Sequence, residues 1–360
     1  MKRHKKRGAV VIAGYYGFGN AGDELILSTL VSRLQKEQPG RSLTVFSPRP
    51  ERTAEDHGVK AVNRWKPWTW VRPLWEAECF ILGGGGLLQE STGPWNHAYY
   101  LFLVFLAKCL GCRTEVRAIG VDPVGRGGNR IWTRWVFNLL VDYASVRDAD
   151  SQRALEMIGV RTRLWKTPDP VFMLGRIRPP AVPRNPPRIA WALSSWPQRP
   201  GWDHDVSFLM QRAARELGVA NDLLVFFPEE DLEIARKISA ATAPPAPVRT
   251  WERTDDLLTW IQDADMVIGM RYHALILAAL AEKPFIGLGY QQKIRTLCRD
   301  FNQPMWTFER GWEAESVYRL VSDSWKRRQT LPDRYRKQIA HLIHSPAEAN
   351  ETARIFVALA

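Results

Sequence analysis

The sequence predicts an α/β protein of two similar-sized domains, each with a parallel sheet, facing one another across a cleft. Three observations carry this. Short apolar runs alternate with amphipathic stretches from end to end, which is the rhythm of strand–helix units. The rhythm breaks once, at residues 177–188 (I-R-P-P-A-V-P-R-N-P-P-R), where five prolines fall in twelve positions. Finally, a length of 360 residues is about twice that of a common single domain. Proline fixes φ and removes a backbone donor, so residues 177–188 can continue neither a helix nor a central strand. The expected division is a first domain over 1–176, a linker over 177–188, a second domain over 189–312 and a helical, basic segment over 313–360.

Each element has a local reason. Residues 9–13 (A-V-V-I-A) are short, apolar and closed by Gly14, as a buried strand should be. Residues 23–35 place Leu25, Leu27, Leu30, Val31 and Leu34 on a helical period. Residues 43–46, 79–82, 114–119 and 143–146 are further apolar strands, with helices between them over 96–110, 132–141 and 151–158, the last ended by Gly159. After the prolines, strands are expected at 189–193, 223–227, 248–250, 266–269 and 284–288. Helices are expected at 208–217, 232–239, 257–264 and 273–281.

Composition narrows the class of partner. The chain has 50 Lys+Arg against 38 Asp+Glu, a net charge of +12, but five of those positive charges lie in residues 2–7, leaving +7 for the rest. That excess suits small anionic substrates or a membrane surface as well as nucleic acid. The basic residues are scattered and form no recognised module, which argues against nucleic acid. The longest apolar run, residues 98–107, holds ten residues, half of the roughly 20 that a spanning helix needs. The apolar run after the basic N-terminus is cut short by Gly14 and Gly17, so no secretory leader is expected there. Four cysteines are too few for a disulfide scaffold and read as free thiols. A cytoplasmic protein is the expectation, and Cys109-x-x-Cys112 reads as structural because no zinc-like spacing accompanies it.

Chemistry gathers in four segments placed where strands end and helices begin, the edge at which open parallel sheets bind ligands. The first is G-Y-Y-G-F-G-N-A-G-D-E (14–24). It lacks the acidic residue that ends the second strand of a dinucleotide site, and no Lys-Ser/Thr follows as in a phosphate-binding loop of the Walker type. Asp23 and Glu24 suit either helix capping or a ligand contact. The second is G-G-G-G-L-L-Q (83–89); four consecutive glycines are costly to order, so this backbone is expected to touch ligand or the other domain. The third, S-V-R-D (145–148), ends a strand on Arg147, with Asp148 or Ser151 able to cap the next helix. The fourth is M-R-Y-H-A-L (270–275), opening a nearly all-apolar helix whose burial would aim its N-terminus inward, with positive partial charge and free N–H groups. With Lys293 after the next strand, Arg147, Arg271 and His273 read as cationic groups converging without a carboxylate partner, an anion site.

These segments, with D-P-V-F (169–172), resemble the polysaccharide pyruvyl transferase family over about residues 10–308, close to the branch acting on bacterial secondary cell-wall polysaccharide. The resemblance implies a GT-B-like fold of two Rossmann-like domains. It also implies transfer of the enolpyruvyl carbons of phosphoenolpyruvate onto a sugar as a cyclic ketal, often on N-acetylmannosamine of a lipid-linked precursor. Carried over, the catalytic residues are His273, Arg271, Arg147 and Lys293; the substrate-binding ones are Gly19, Asn20, Asp23, Gly84, Gly85, Gly86, Gln89 and Tyr272. No cofactor or metal is implied, with phosphoenolpyruvate as co-substrate. The chain departs from the family at Tyr290-Gln291-Gln292 and at residues 90–93. Sixteen tryptophans cluster partly in R-W-K-P-W-T-W-V-R-P-L-W (64–75), which reads as core-facing, as a sugar platform or as a peripheral membrane contact. Two rival functions remain. A glycosyltransferase using a nucleotide sugar would need a ribose-binding acid, for which Glu282 is the near candidate; a non-catalytic saccharide-binding protein would need none.

Overall fold

The computed structural model describes residues 8–89, 94–122, 125, 127–178, 184–196, 199–330 and 332–344. The basic run at 1–7, residues 90–93 and part of the proline-rich stretch lie outside the described residues. Contacts divide the described residues into two units: those within 8–19, 23–170 and 343–344 form one, and those within 20–22 and 171–342 the other. The boundary thus falls at Pro170/Val171, ahead of the proline-rich stretch.

The first unit holds a seven-stranded sheet of β1 (Val10–Ala13), β2 (Leu43–Ser47), β3 (Lys60–Asn63), β4 (Cys79–Gly83), β5 (Arg113–Ile119), β6 (Tyr143–Val146) and β7 (Leu164–Lys166). All neighbours are parallel, in the order β3-β2-β1-β4-β5-β6-β7. The connecting helices are α1 (Ala21–Glu37), α2 (Pro50–His57), α3 (Val71–Glu76), α4 (Pro94–Cys109), α5 (Gly127–Leu139) and α6 (Ala149–Met157). The second unit repeats the plan with β8 (Arg188–Ala192), β9 (Ala220–Val225), β10 (Val248–Thr250), β11 (Met266–Gly269), β12 (Phe285–Gly289) and β13 (Met305–Thr307) in the order β10-β9-β8-β11-β12-β13. Its helices are α7 (Trp202–Leu217), α8 (Pro228–Ala240), α9 (Thr254–Asp263), α10 (Tyr272–Leu280), α11 (Gln292–Asp300) and α12 (Ala314–Lys326), followed by α13 (Pro332–His344).

Both sheets therefore grow outward from their first strand in two directions, and each has one point where the direction reverses: between β1 and β4, and between β8 and β11. These are the Rossmann-like units the alternating pattern predicts. The central strands are fully buried (Val10–Ala13, Cys79–Gly83, Met266–Gly269), which is why they read as continuous apolar runs rather than alternating ones. The edge strands β3, β7 and β10 keep half-exposed side chains. Of these, β3 and β7 went unread in the sequence, together with α2, α3, α11 and β13. The core of the first unit gathers Val11, Phe46, Phe80, Leu82, Tyr100, Val104 and Phe137; that of the second gathers Trp191, Met210, Ile268, Ile286 and Leu288. Burying each such side chain stabilises by about 1.5–3 kcal/mol before chain entropy is subtracted. Among the described residues, no helix is long and apolar enough to cross a membrane.

Candidate functional site

In-register pairing of Ala13 with Leu82 makes the two glycine-rich segments leave the first sheet side by side at its reversal point, where ligands of open sheets bind. Gly84 and Gly85 have φ of +63° and +79°, a region that other residues enter only under strain. The space is also closed: a Cβ on Gly84 would overlap Ile26 Cγ2, and one on Gly85 would stand 2.6 Å from Asp23 Oδ1. The loop is pinned by backbone bonds from Gly84 N–H to Arg117 O and from Gly120 N–H to Gly85 O, both 2.8 Å. Tyr16, buried, donates its hydroxyl to Gly83 O. Burial first, then the charge of Asp23, holds the Tyr16 phenol well above its ordinary value, so it stays a donor.

Asp23 is buried against Gly85, while Glu24 turns the other way. Its Oε1 accepts the Gly17 N–H at 2.7 Å and its Oε2 meets His57 Nε2 at 3.3 Å. Of the two acids, Glu24 therefore tethers the first glycine-rich segment and Asp23 faces the second. Gly19 has φ +82° and open space around it. Arg147 leaves the end of β6 and lays its guanidinium against Gly120, where any Cβ would overlap Nη2. Gly86 and Gln89 lie beside this arrangement: a Cβ on Gly86 would stand 3.8 Å from Gln89 Oε1 and 4.0 Å from Arg147 Nη2. Asp148 accepts the Ser151 N–H at 2.7 Å as cap of α6 and approaches Arg147 Nε at 3.3 Å. This partly buried pair gives Arg147 a carboxylate neighbour on the adjacent residue, against the expectation that it has none.

In the second unit, pairing of Ala192 with Gly269 sets the loops after β8 and β11 side by side in the same way. A cavity of about 250 Å³ opens there, lined by Ser194, Trp196, Glu230, Arg271, Tyr290 and Gln291 among others. Helix α10 is buried from Ala274 to Leu280, as its apolar sequence predicts, and Arg271 stands at its N-cap with extended backbone (φ −95°, ψ 113°). One expectation is overturned here: Arg271 does have carboxylate partners. Its Nε donates to both oxygens of buried Asp231 at 3.0 Å, and its Nη2 donates to Glu230 at 2.6 Å and Ser194 Oγ at 3.1 Å. Burial works against the guanidinium's charge, but the bonds to Asp231 and Glu230 outweigh it and hold Arg271 above its ordinary value. These acids come from the first turn of α8, some 40 residues away, which is why the segment around Arg271 gave no sign of them.

His273 follows in the first turn of α10. Its ring lies against the backbone of Gly22, a residue of the same unit, so closely that a Cβ there would overlap Nδ1. Tyr272 meets the ring edge-on at 5.4 Å between centroids, and Lys293 Nζ stands 5.8 Å from the Tyr272 centroid. Lys293 lies in the first turn of α11, just past the strand end where the sequence placed it. Asn20 accepts the Gly22 N–H at 3.0 Å, closing the first turn of α1; that oxygen is therefore engaged in capping. Glu282 lies at the opposite end of α10, roughly 13 Å away along nine residues, and is held by Arg176 at 2.7 Å and Arg336 at 2.9 Å. It cannot serve the cavity at Arg271.

The segment at 64–75 faces the core only in part. Trp70 and Leu74 are buried, whereas Trp65 and Trp68 are exposed. Arg64, buried, donates to Gly14 O at 3.1 Å and lies 4.6–5.0 Å from the rings of Tyr99, Phe18 and Trp65. The residues that sequence reasoning missed, Gly120, Ser194, Glu230 and Asp231, act through contacts distant in sequence, and Gly22, read there only as part of the first glycine-rich segment, meets His273. The one available signal was position, since Ser194, Glu230 and Asp231 follow strands at the ligand-binding edge.

A family model described as polysaccharide pyruvyl transferase matches residues 20–292. No curated protein matches the chain. Among solved structures, the chain is similar to Anabaena Alr3699/HepE in complex with UDP-glucose, with TM-score 0.63, 11% identity and coverage of 97% of this chain and 98% of that one. It is also similar to the UDP-GlcNAc 2-epimerase from Neisseria meningitidis bound to UDP-GlcNAc (TM-score 0.60, 10% identity, 98% of each chain). A glycosyltransferase from Rickettsia africae ESF-5 gives TM-score 0.61 at 8% identity over 98% of each chain. At such identities the likeness speaks for the fold alone, and that fold is GT-B-like.

Proposed function

The chain belongs to the polysaccharide pyruvyl transferase family, and from that premise we propose that it joins the three-carbon unit of phosphoenolpyruvate to two hydroxyls of a cell-wall or exopolysaccharide sugar, forming a cyclic ketal and releasing phosphate. The observation that supports this reading is the group His273–Tyr272–Lys293, an imidazole and a cation beside one ring at the N-terminal end of α10.

In this reading His273 gives its proton to the methylene carbon of the donor, leaving an oxocarbenium-like centre at the adjacent carbon. One sugar hydroxyl attacks that centre and surrenders its proton, with Asp23 as the proposed base. The bond to the phosphate oxygen then breaks, and a second hydroxyl closes the ring. Of the two hydroxyl protons, one replaces the proton given to carbon and the other leaves with phosphate. Lys293 offsets charge on the departing phosphate. Arg147, the guanidinium laid over Gly120, pairs with a substrate anion, for which its planar fork is suited. Arg271 takes a different role from the one its sequence suggests: bracketed by Asp231 and Glu230, it orders the cavity wall and the start of α10. The acceptor is proposed to be N-acetylmannosamine of a lipid-linked precursor, met by Asp23, Gly84–Gly86 and Gln89, and the protein to work at the cytoplasmic side without cofactor or metal.

The test is phosphate release from phosphoenolpyruvate with a mannosamine-type acceptor, with the product read by mass spectrometry. His273→Ala should lower it at least about tenfold; a fully active variant ends that assignment. Because the structural neighbours include proteins bound to UDP-sugars, the same incubation is run with UDP-sugars. Release of UDP in place of phosphate would favour glycosyl transfer, and release of neither would favour saccharide binding alone.

A further inference from the structure

We infer that the outer face of α4 and α5 docks on an anionic bilayer surface. The two helices pack against each other, and α4 lies on β4 and β5 of the first sheet. The inner face of α4 is buried through Tyr100, Leu101, Leu103, Val104 and Ala107. Its outer face is not polar, as an ordinary surface helix would be; it carries exposed Trp95, Phe102 and Cys109. On α5, Ile131, Trp135 and Leu139 recur every four residues, one stripe, with Ile131 73% and Leu139 62% exposed. Ring contacts join the two stripes into one patch. Phe105 of α4 lies 6.1 Å from both Trp132 and Trp135 of α5, and those two tryptophans stack at 5.2 Å.

Charge decides what covers the patch. Neither α4 nor α5 contains a single Asp or Glu. Lys108 is taken by Asp142 at 2.6 Å, while Arg130 and Arg134 are exposed and have no acidic partner among the described residues. Tryptophan beside unpaired arginine is the chemistry of the interface between water and lipid headgroups. A second copy of this chain fits worse, because a two-fold contact would set the same arginines against each other. Neither α4 nor α5 is long and apolar enough to span a bilayer, nor is any other helix among the described residues, so contact in the membrane plane is the geometry left to these two. α4 also starts after the glycine-rich loop, so its exposed Trp95 lies toward the sheet edge that holds Asp23 and Arg147. This deepens the reading above, on which it rests only for the idea that the acceptor is carried by a lipid.

Flotation of the full-length protein tests it, using vesicles of phosphatidylcholine alone and of phosphatidylcholine mixed with phosphatidylglycerol. The wild type should float with the mixed vesicles and bind the neutral ones at least about tenfold more weakly. The double variant Ile131→Asp/Leu139→Asp, both positions being exposed, should keep its circular dichroism and melting midpoint yet lose about tenfold or more in binding to the mixed vesicles. Wild-type protein left in the unbound fraction, or a variant that floats as well as wild type, overturns the proposal. So does sedimentation showing a wild-type dimer and a monomeric variant, for the face would then join two copies. Binding is read without substrate, so it fails or holds separately from ketal formation.

Discussion

The two reversal points, β1/β4 in the first sheet and β8/β11 in the second, have the same topology but are made of different material. The first is held by backbone, with glycines at 84 and 85, carbonyls and N–H groups bonded strand to loop and one tyrosine hydroxyl, while Asp23 and Arg147 rest against its glycines. The second is built from charge: Arg271 clamped by Asp231 and Glu230, with His273 and Lys293 beyond it. The lesson is that strand order fixes where a ligand can sit, whereas the chemistry offered there is set by a few residues after each strand.

If the second point is held by charge, removing one partner should cost most. Asp231→Asn leaves the mostly buried Arg271 without its main counter-charge and should destabilise by about 3 kcal/mol, read as a fall in the denaturation midpoint. Glu230→Gln, more exposed, should change it by less than about 1 kcal/mol. Equal effects from the two would mean that the clamp is not the organising element. Next in size, Gly22→Ala introduces a Cβ into the space of the His273 ring. It should lower phosphate release about 100-fold, the scale of misplacing a catalytic group, with little loss of melting temperature, since alanine favours α1. An active variant would show that the placement of His273 against Gly22 is incidental.

For the backbone-built point, Gly84→Ala meets both a positive φ and Ile26, and should destabilise by about 2 kcal/mol. A neutral result would mean that the loop can shift, against its reading as a fixed surface. The smallest effect is a control away from both points. Burial pushes the Asp142 carboxyl up, but bonds from Lys108 and Thr114 prevail and hold it below its ordinary 3.8. A depressed carboxylate contributes stability above its unfolded value and loses it as pH falls through its folded value. The gap between wild type and Asp142→Asn should therefore be no more than about 1 kcal/mol at neutral pH, given its exposure, and should close below about pH 3.8. A gap that persisted in acid would refute the assignment.

Much of this was legible in the chain. Buried parallel strands announce themselves as apolar runs, and all four segments singled out for chemistry do lie at the carboxyl ends of strands. Edge strands such as β3 (K-A-V-N) and β7 (L-W-K) do not, because half-exposed positions need no apolar pattern. The site was legible as far as its own segments. Arg271 and His273 were found, but the acids that engage Arg271 lie on α8, and the glycine that admits His273 lies some 250 residues earlier. Pairings of that span leave no trace in local spacing. The same holds for Arg147, whose guanidinium rests on Gly120, a position with nothing to mark it.

The hydroxyl of Tyr16 on the Gly83 carbonyl has a thermodynamic consequence. It ties the loop after β1 to the last residue of β4, and with the bonds at Gly84 and Gly120 it leaves the four-glycine run little freedom. The ordering entropy of that flexible sequence is thus lost once, during folding, and does not weaken the affinity of a ligand that docks on it.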